Sequence, residues 1–559
     1  MLRILKPFSI CKRASSTFKN IVKSPGPDID IPKNVLLSEY LLENINKWTD
    51  KVAVECIETK KRYTFLEIRK KSLTLAHFLR NSLKLEEKSC VGILLPNLPE
   101  FPIVVLASIQ AGLQITPINP NYTPDEIKKQ LVLSKAKALF GVAERETELR
   151  SVCDNLKIPI IAVKVHQNTS LSTGTINFFD YVTAKQQNFD EIYTKSVTPD
   201  DVVLLPFSSG TTGLPKGVQL THFNLVSNLM QTAVDEFDFY KKGGDEVSLA
   251  FLPFFHIYGF MLILIHGLCD GLKLITFPKF TSQLFLTGLR EYRPTFIPAV
   301  PPIVHMVNTS THINHSEDLV SVRSMLCGAA PLGKTDIVHF RDLTNGKIDI
   351  IQGHGMTETS PLNMVQTRAF EGGLKIGGCG FLVPNTQAKF VSIENSEDQN
   401  GLGMKQNGEL CIKGPQVMKG YLDNPTATKE MFMEDGWVRT GDIGYYDEDG
   451  HIFITDRLKE LIKVQGFPVA PAELESLIRK HPSVEDVAVI GVKHEKLGEA
   501  PKAFVVLKKS VKLQPKDIED FVAPKVIKYK HLAGGVTFLE HIPKTPAGKI
   551  LRRDLKKLI

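Results

Sequence analysis

Apolar runs and helical patterns alternate along residues 90–142. The strand-like run CVGILL is followed by the helical segment PEFPIVVLASIQAG, and then by QITPIN, TPDEIKKQLVLSKA and ALFGVA. Proline near the start of a segment and glycine at its end are typical helix boundaries. This alternation predicts a parallel sheet with helices packed on its faces. Further strands are predicted at VVLLPF (202–207), KLITF (273–277) and KIDIIQG (347–353).

Two changes of pattern divide the rest of the chain. Residues 387–455 contain short strand-like runs with Gly and Asp turns, which predict a small β-rich subdomain. Residues 460–559 contain helix APAELESLIRKH, strands VEDVAVIGV and KAFVVL, helix PKDIEDFVAPKV and strand GVTFLE. The predicted fold class is therefore α/β, with a large N-terminal domain at 27–455, a boundary at 456–459 and a small α+β C-terminal domain at 460–559.

One apolar stretch resembles a membrane span in length. No Asp, Glu, Lys or Arg lies between Glu246 and Asp270, and a run of that length can cross a bilayer. However, Pro253 and Gly259 interrupt the run, which reads as the two pieces VSLAFLPFF and GFMLILIHGL. We therefore expect a buried strand, a turn and a buried helix, and no transmembrane span.

Composition and charge narrow the classes of protein. The chain has 559 residues, of which 43% are apolar and 23% charged, as is typical of globular proteins. The net charge is +7, and residues 1–26 contain six basic side chains and no acid, so the remainder is nearly neutral. A nearly neutral body gives no reason to expect a nucleic-acid partner. The eight cysteines form no C-x-x-C pair, which argues against a zinc site or a disulfide framework.

The first 26 residues have the composition of a targeting segment. MLRILKPFSICKRASSTFKNIVKSPG is basic, contains hydroxyl residues and lacks acids, as mitochondrial presequences do. The C-terminal Lys-Leu-Ile is not the Ser-Lys-Leu peroxisomal signal. We expect a mitochondrial protein, with a cytoplasmic or peroxisomal location as the alternatives.

A loop rich in glycine and hydroxyl side chains directly follows the predicted strand VVLLPF. In SSGTTGLPKGVQLTH (208–222), glycines allow backbone N–H groups to approach an anion, hydroxyls add donors and a lysine adds charge. The spacing differs from that of a Walker A loop, because no Ser or Thr follows Gly-Lys. The residues predicted to bind phosphate are Ser208, Ser209, Gly210, Thr211, Thr212, Gly213 and Lys216.

SSGTTGLPKGV resembles the signature of the adenylate-forming superfamily, which includes acyl-CoA synthetases, 4-coumarate–CoA ligases and beetle luciferases. Further stretches resemble its core motifs in the same order: QGHGMTETSP (352–361), YLDNPTATKEMF (421–432), the segment 436–475 and PKTPAGKILRRDL (543–555). The resemblance runs from about residue 36 to the C-terminus. It implies that the protein uses Mg-ATP to activate a carboxylic acid as an acyl-adenylate, releases pyrophosphate, and transfers the acyl group to coenzyme A.

The resemblance also assigns roles to residues of the nucleotide site. Thr357 matches the residue that contacts the α-phosphate, Glu358 the Mg²⁺ ligand, and Asp442 and Arg457 the residues that face the ribose. Lys549 matches the lysine that bridges the attacking carboxylate and the α-phosphate. The other matched positions along the adenine and acyl channel are Gly328, Ala329, Gly353, His354, Gly355 and Met356. The family usually has Tyr where this chain has His354.

The same resemblance implies a moving C-terminal domain. Lys459 matches the hinge position at which that domain swings after adenylation, so that one cleft serves two reactions. The face brought in by the swing contains Lys463, Gly466 and Phe467, which are matched to coenzyme A binding. Gln465 replaces a common lysine on that face.

The acid side of the site is predicted from PFFHIYGF. His256 matches the residue beside the acyl carboxylate, and the expected pocket residues are Ile257, Tyr258, Phe260, Met261 and Val300. Apolar and aromatic walls favour a hydrophobic acid, either a medium-chain fatty acid or a 4-coumarate-like aryl acid. The alternatives are a luciferase-like enzyme that reacts the adenylate with O₂, an enzyme that loads a carrier protein, and an inactive ligand-binding homologue. The sequence does not indicate an oligomeric state.

Overall fold

The computed structural model describes residues 20–166, 168–182, 192, 194–208, 215–237, 239–240, 246–394, 400–465, 467–509, 511–545 and 548–559. Most of the predicted targeting segment, residues 1–19, lies outside the described residues. Six predicted site residues also lie outside them: Ser209, Gly210, Thr211, Thr212, Gly213 and Gly466.

The strands of the described residues form four sheets, two with nine strands and two with five. In spatial order the first nine-stranded sheet contains Phe207–Ser208, Lys216–Thr221, Val202–Leu204, Gln114–Pro117, Cys90–Leu94, Ala138–Val142, Ile160–Val163 and Ile176–Asn177, with Gly420–Tyr421 beside Lys216–Thr221. The second contains Phe381–Leu382, Leu362–Val365, Asp349–Gly355, Ser324–Cys327, Phe296–Ala299, Val247–Ala250, Lys273–Thr276, Val52–Cys56 and Arg62–Thr64.

The centres of both nine-stranded sheets are parallel, as predicted. Strand Cys90–Leu94 pairs in parallel with Gln114–Pro117 on one side and Ala138–Val142 on the other. Helices cover the faces; the α-helices of the described residues are Leu37–Ile45, Phe65–His77, Phe101–Gln110, Pro124–Leu133, Glu146–Leu156, His222–Thr232, His266–Cys269, Ser282–Tyr292, Pro301–Thr309, His315–Asp318, Lys334–Leu343, Pro425–Met431, Pro471–Ile478, Pro515–Val522 and Arg552–Leu555. The α/β fold class is thus confirmed.

Local chemistry explains where these helices begin. The backbone N–H of Glu126 donates to the Thr123 side chain, and the N–H of Thr123 donates to the Glu126 carboxylate at 2.9 Å. This reciprocal pair satisfies donors that helix Pro124–Leu133 leaves without an intrahelical partner. Helix Phe101–Gln110 is buried on every side, which explains why its sequence lacks a polar face.

Two predicted elements are shorter in the structure because proline interrupts them. The predicted strand VVLLPF is divided into Val202–Leu204 and Phe207–Ser208, on either side of Pro206, which has no N–H to donate to a sheet. The predicted helix PKDIEDFVAPKV ends at Val522, and Pro524 lies in a separate 3₁₀ turn.

The apolar stretch between Glu246 and Asp270 folds as two buried pieces. It forms strand Val247–Ala250, then a π-helix at Tyr258–Ile265 that continues into helix His266–Cys269. Among the residues that the structure describes, no helix has the length and apolar character needed to cross a membrane.

The β-rich subdomain is a five-stranded antiparallel sheet. Its strands, in spatial order, are Val22–Lys23, Gln387–Val391, Gly408–Lys413, Val438–Tyr446 and Ile452–Arg457. Val22 is buried in the core of this sheet. The predicted boundary at residue 26 therefore falls after a strand that belongs to the fold.

The C-terminal residues form a separate five-stranded sheet with its own core. In spatial order the strands are Phe467–Val469, Ile462–Val464, Gly498–Leu507 and Val484–His494, with Val536–Phe538 beside Gly498–Leu507. The apolar core of this unit begins at Ile462, whereas the main core of the chain ends at Ala427. The domain boundaries and the hinge stay predictions.

Candidate active site

A buried carboxylate lies where the β-rich sheet meets the second nine-stranded sheet. Asp442 is 3% exposed and stands directly opposite Arg457 in the pairing of two antiparallel strands. Arg457 Nε lies 2.9 Å from Asp442 Oδ1, and His354 Nε2 lies 2.8 Å from Oδ2. Burial by itself raises the pKa of Asp442, but the charge of Arg457 and the hydrogen bond from His354 outweigh burial and lower it. The carboxylate is therefore ionised at neutral pH.

Glu358 supplies a second buried carboxylate at the base of the phosphate loop. It lies in a 3₁₀ turn, and its Oε1 accepts hydrogen bonds from Tyr421 Oη at 2.9 Å and Ser208 Oγ at 3.4 Å. Ser208 and Lys216 pair across the hairpin that carries the loop, and Lys216 Nζ lies 5.0 Å from the centre of the Tyr421 ring. These contacts place the two ends of the loop beside Glu358.

The donor set around Glu358 fits Mg²⁺. Both hydrogen bonds end on Oε1, so the contacts of the described residues leave Oε2 for a cation. The described residues contain no cluster of three or more His, Cys, Asp or Glu side chains that would enclose a metal. Mg²⁺ is commonly held by one or two carboxylates together with substrate phosphates and waters, which matches a single buried carboxylate beside a phosphate loop.

The backbone turns sharply just before Thr357 and Glu358. A Cβ atom on Gly355 would lie 2.4 Å from the carbonyl oxygen of Pro361, so only glycine fits at this position. The N–H of Met356 donates to the same carbonyl at 3.0 Å and closes the turn. Thr357 is half-buried at the start of the 3₁₀ turn.

Lys549 enters this cleft from the far end of the chain. The N–H of Lys549 donates to Thr545 Oγ1 at 3.1 Å, and its carbonyl accepts from the Thr545 N–H at 2.8 Å. The preceding Gly548 has φ +80° and packs against Pro302, where a Cβ atom would lie 2.9 Å from Pro302 Cδ. Burial and the positive charge of Arg457 lower the pKa of Lys549. The C-terminal unit is therefore docked on the large domain, with its lysine near Arg457.

His256 faces the same lysine from the large domain. Burial, and then the charge of Lys549, lower the pKa of His256 to about 4, so its ring is neutral at neutral pH. Its Nδ1 accepts a hydrogen bond from the Tyr258 N–H at 3.3 Å. The single proton of the neutral ring must then lie on Nε2, which makes that atom a hydrogen-bond donor.

An aromatic ring and a backbone carbonyl lie next to Gly328. A Cβ atom on Gly328 would lie 3.6 Å from the Tyr258 ring and 3.9 Å from the carbonyl oxygen of Gly353. The Tyr258 hydroxyl donates to the carbonyl of Leu326 at 2.7 Å, which fixes the ring. The following Ala329 has φ +68°, so the backbone turns sharply there.

The other predicted pocket residues are all buried, by different contacts. Val300 is buried, and its Cβ lies 3.6 Å from the position that a Cβ atom on Gly548 would occupy. Phe260 packs edge-on against Phe101, with ring centres 6.5 Å apart. Ile257 and Met261 belong to the same large core. Tyr258 and Val300 are thus the predicted pocket residues that the structure places beside other site residues.

The residues predicted to serve the second half-reaction lie away from this cleft. Lys459 is exposed in the 3₁₀ turn Leu458–Glu460. Lys463 is also exposed, and Phe467 is 55% exposed, with its ring stacked on Tyr529 at 5.1 Å. Lys459, Lys463 and Phe467 are thus exposed, whereas Asp442, Arg457 and His354 are in direct contact with one another.

Four contacts near the site were not predicted from the sequence. Tyr421 binds Glu358, although its motif was recognised only as a whole. Asp456 accepts a hydrogen bond from the N–H of Ala472, across the predicted hinge. Arg552 lies 2.8 Å from Glu460 and 2.6 Å from Glu475. No local sequence pattern reveals such partners, because each contact joins two segments that are separated along the chain.

Comparisons with known proteins agree with this arrangement. The family described as AMP-binding enzyme matches residues 41–422, and the C-terminal domain of AMP-binding enzymes matches residues 473–549. The protein named 4-coumarate–CoA ligase 1 from Arabidopsis thaliana is 39% identical over 542 residues, covering 96% of this chain and 95% of that protein. A probable 4-coumarate–CoA ligase 3 from Dictyostelium discoideum is 38% identical over 544 residues, with 95% and 97% covered.

A solved structure shows the same fold. ATP-bound MatB from Rhodopseudomonas palustris superposes with a TM-score of 0.83 at 25% identity, over 94% of this chain and 99% of that one. The family matches, the relatives and this superposition cover both the large domain and the C-terminal unit. The chain belongs to the AMP-binding enzyme family, and the resemblance to adenylate-forming enzymes is confirmed.

Proposed function

We propose that this protein joins a hydrophobic carboxylic acid, either a 4-coumarate-like aryl acid or a medium-chain fatty acid, to coenzyme A. At the coarser level it is an acid–CoA ligase that uses ATP, Mg²⁺ and coenzyme A. The identity of the acid and the roles of single residues are part of the proposal, and they rest on the geometry described above.

The observation that carries the proposal is the convergence of three distant segments on one cleft. Lys549 acts electrostatically on His256 of the apolar stretch and on Asp442 of the β-rich sheet. Gly548, the neighbour of Lys549, packs on Pro302 of the large domain. The three groups are the lysine Lys549, the neutral histidine His256 and the carboxylate Asp442. Their presence in one cleft is consistent with the transfer of an acid to a nucleotide.

In the first half-reaction, an oxygen of the acid bonds to the α-phosphorus of ATP and the bond to the β-phosphate breaks, so pyrophosphate leaves. Negative charge accumulates as the two anions meet, and fixed cations and donors lower that barrier. Lys549 would bridge the carboxylate and the α-phosphate, and Thr357 would donate to the α-phosphate. His256 would orient the acid through its Nε2–H.

The remaining residues would hold the nucleotide. Asp442 and Arg457 would face the ribose, and the loop from Ser208 to Lys216 would hold the β- and γ-phosphates. Glu358 would hold Mg²⁺, which neutralises phosphate charge when bound. The positions Gly328, Ala329, Gly353, Gly355 and Met356 would line the adenine and acyl channel.

In the second half-reaction, the sulfur of coenzyme A bonds to the carbonyl carbon, and the bond to AMP breaks. Because Lys549 occupies the cleft in this structure, the thiol needs the C-terminal unit to move. We propose that Lys459 is the hinge, and that Lys463, Gly466 and Phe467 then face coenzyme A.

The walls of the cleft support the proposal of a hydrophobic acid. The Tyr258 ring, Val300 and the bare backbone of Gly328 form a surface that binds through the loss of water from apolar area. A short acid such as acetate would leave the Tyr258 wall without contact.

A panel of acids with ATP, Mg²⁺ and coenzyme A tests the proposal. It contains 4-coumarate, cinnamate, hexanoate, octanoate, acetate and palmitate, with AMP release and thioester mass as readouts. We expect thioesters from the aryl or medium-chain acids and little from acetate or palmitate. Turnover only with acetate or palmitate contradicts the acid class, and an absence of both AMP release and thioester with every acid contradicts the function.

Two further arms separate the alternatives. Omitting coenzyme A and measuring O₂ uptake and light distinguishes a luciferase-like oxygenase, which would consume O₂ without the thiol. Replacing coenzyme A by a phosphopantetheinylated carrier protein distinguishes a carrier-loading enzyme. We expect coenzyme A to be the better acceptor and O₂ uptake to stay at background.

We also propose a mitochondrial location, supported by the basic, acid-free composition of the first 26 residues. Because Val22 is part of a sheet, residues 1–21 are the segment to test. Fused to a fluorescent protein, this segment should direct it to mitochondria. The matched control replaces Arg3, Lys6, Lys12 and Arg13 by Gln and should stay diffuse; equal import of both fusions contradicts the proposal.

A further inference from the structure

The pair His354–Asp442 joins two sheets at the nucleotide site. His354 lies at the end of strand Asp349–Gly355 in the second nine-stranded sheet, whereas Asp442 lies in strand Val438–Tyr446 of the β-rich sheet. The two side chains are 10% and 4% exposed, and 2.8 Å separates His354 Nε2 from Asp442 Oδ2. A buried hydrogen bond between sheets fixes both partners more firmly than a surface pair does.

The protonation pattern of the pair follows from the carboxylate. The charge of Arg457 keeps the pKa of Asp442 low, so Asp442 can only accept. His354 Nε2 therefore carries the proton that it donates. His354 Nδ1 is buried and has no hydrogen-bond partner among the described residues, so Asp442 is the polar contact that orients the ring.

Hydrogen-bond accounting shows what the pair leaves available. A carboxylate has about four acceptor positions. Arg457 Nε uses one on Oδ1 and His354 Nε2 uses one on Oδ2. One position remains on each oxygen, which matches the two neighbouring hydroxyls of a ribose.

One partner alone would not hold this orientation. The terminal torsion of an aspartate side chain is broad, so a carboxylate held at one oxygen can turn about that contact. Arg457 holds Oδ1, and its side chain is 40% exposed. The more deeply buried His354 holds Oδ2 and fixes the plane of the group.

We propose that His354 is a positioning residue for nucleotide recognition: it fixes the Asp442 carboxylate so that its two free acceptor positions meet the ribose hydroxyls. This inference rests on the proposed function, in which Asp442 faces the ribose. It gives a separate task to the histidine that replaces the usual tyrosine of the family. His354 acts through Asp442, so its contribution depends on the hydroxyls that Asp442 binds.

The test compares the binding of ATP, 2′-deoxy-ATP and 3′-deoxy-ATP to the full chain with Mg²⁺ and without acid, by calorimetry. The variants are His354→Phe, which keeps a ring and removes the donor, and a matched pair of amides. His354→Gln places its N–H donor the same number of bonds from Cα as His Nε2, whereas the donor of His354→Asn is one bond shorter.

We expect the wild type to bind at least one deoxynucleotide about tenfold or more weakly than ATP, as loss of a hydrogen bond to a charged group implies. The ratio of the Kd for that deoxynucleotide to the Kd for ATP should fall to about threefold or less in His354→Phe and His354→Asn. In His354→Gln most of this ratio should remain. Asp442→Asn should lower the ratio as well, and adding His354→Phe to it should cause no further change.

Other outcomes overturn the inference. A uniform loss of affinity for all three nucleotides in His354→Phe indicates a stacking or structural role. Equal ratios in the Gln and Asn variants exclude a role for the His354 Nε2–H donor. The exposed His339→Phe serves as the control for removing a histidine and should match the wild type. If His354→Phe unfolds, the Gln and Asn pair still decides the question.

Failure of the proposed function gives a different result. A wild type that binds no nucleotide overturns both proposals. A wild type that binds ATP and discriminates against deoxynucleotides, yet forms no thioester from any acid, overturns only the proposed acid–CoA chemistry. The inference on His354 is then decided by the ratios alone.

Discussion

Asp456 accepts a hydrogen bond from the backbone N–H of Ala472 at 3.2 Å, and the two residues lie on opposite sides of the predicted hinge at Lys459. Ala472 is in the first turn of helix Pro471–Ile478, whose own N-cap, Ala470, offers no side-chain acceptor. A carboxylate from the β-rich sheet therefore caps a helix of the C-terminal unit. If that unit swings about Lys459, this bond must break, so it stabilises the arrangement seen here.

Asp456→Ala is expected to weaken the docked arrangement. Loss of a helix cap costs about 1 kcal/mol, which corresponds to about a fivefold slower adenylation half-reaction. Thioester formation from supplied acyl-AMP should not slow. Single-turnover measurement of each half-reaction checks this, and an equal loss in both would show that the bond serves overall stability only.

The pH dependence of Asp456 gives a second prediction. Burial raises the pKa of this carboxyl from 3.8 to about 6. The folded state thus binds a proton that the unfolded chain has lost, and this stabilisation is present below about pH 4 and lost as pH rises through about 6. Asp456→Asn imitates the neutral form, so its melting temperature should exceed that of the wild type. This difference in melting temperature should be larger at about pH 8 than at about pH 4.5. A difference that does not change with pH contradicts this.

Lys549→Met tests the role proposed for the lysine. It keeps the aliphatic stem and removes the charge that would meet the acid and the α-phosphate. Loss of one such group commonly costs a factor of about 100 or more, so acid-dependent pyrophosphate exchange should fall by that order while the affinity for ATP stays nearly unchanged. Exposed Lys556→Met in the same C-terminal segment should behave as the wild type. Exchange at the normal rate in Lys549→Met would exclude the assigned role.

Local pattern was sufficient for most elements of the fold. The run CVGILL and its neighbours predicted the parallel strands Cys90–Leu94, Gln114–Pro117 and Ala138–Val142, because buried parallel strands are apolar throughout. The pattern was less reliable near Pro206 and Pro524, where a missing N–H ended an element that hydrophobicity alone would have continued.

The site was predictable where residues stand in recognisable motifs, and not where function depends on packing. The motifs identified Asp442 and Lys549, but no spacing showed that His354 Nε2 would reach the Asp442 carboxylate. Nor did the sequence show that Asp456 would cap a helix, since a capping residue normally stands immediately before its helix. Such contacts are set by the meeting of sheets and domains, which periodicity does not describe.

Lys459→Pro tests the hinge. Lys459 is exposed in a 3₁₀ turn, and proline fixes φ near −65°, so the backbone torsion that a swing needs is restricted. Adenylation should persist, while thioester formation from supplied acyl-AMP should fall by about tenfold or more, because the C-terminal unit cannot turn. Lys459→Ala, which removes the side chain and keeps the torsion free, should retain both steps. Normal thioester formation in Lys459→Pro would count against this hinge.

His305 provides a pH-dependent contact at the docking surface. It lies on helix Pro301–Thr309, with its Nδ1 3.4 Å from Asp336 Oδ1, and Asp486 and Glu485 of the C-terminal unit also act on it. The hydrogen bond to Asp336, with these acids, raises the pKa of His305 above 6.5 against the effect of burial. A raised pKa means that the charged histidine stabilises the folded protein below about pH 6.5, and that this gain is lost as pH rises through the raised value. The part of this gain that comes from Asp486 and Glu485 stabilises the docked form.

His305→Gln should therefore slow adenylation at about pH 6 and match the wild type at about pH 8.5. The pair is partly exposed, so the expected effect is about two- to fivefold. Asp486 is also bound by Lys544 at 2.5 Å and by Arg479 at 3.2 Å, and these cations limit the attraction that His305 feels. The ratio of the adenylation rates of the two proteins across this pH range is the measurement, with exposed His339→Gln as the matched control. A ratio that is constant with pH would show that His305 contributes packing and not charge to the docking of the C-terminal unit.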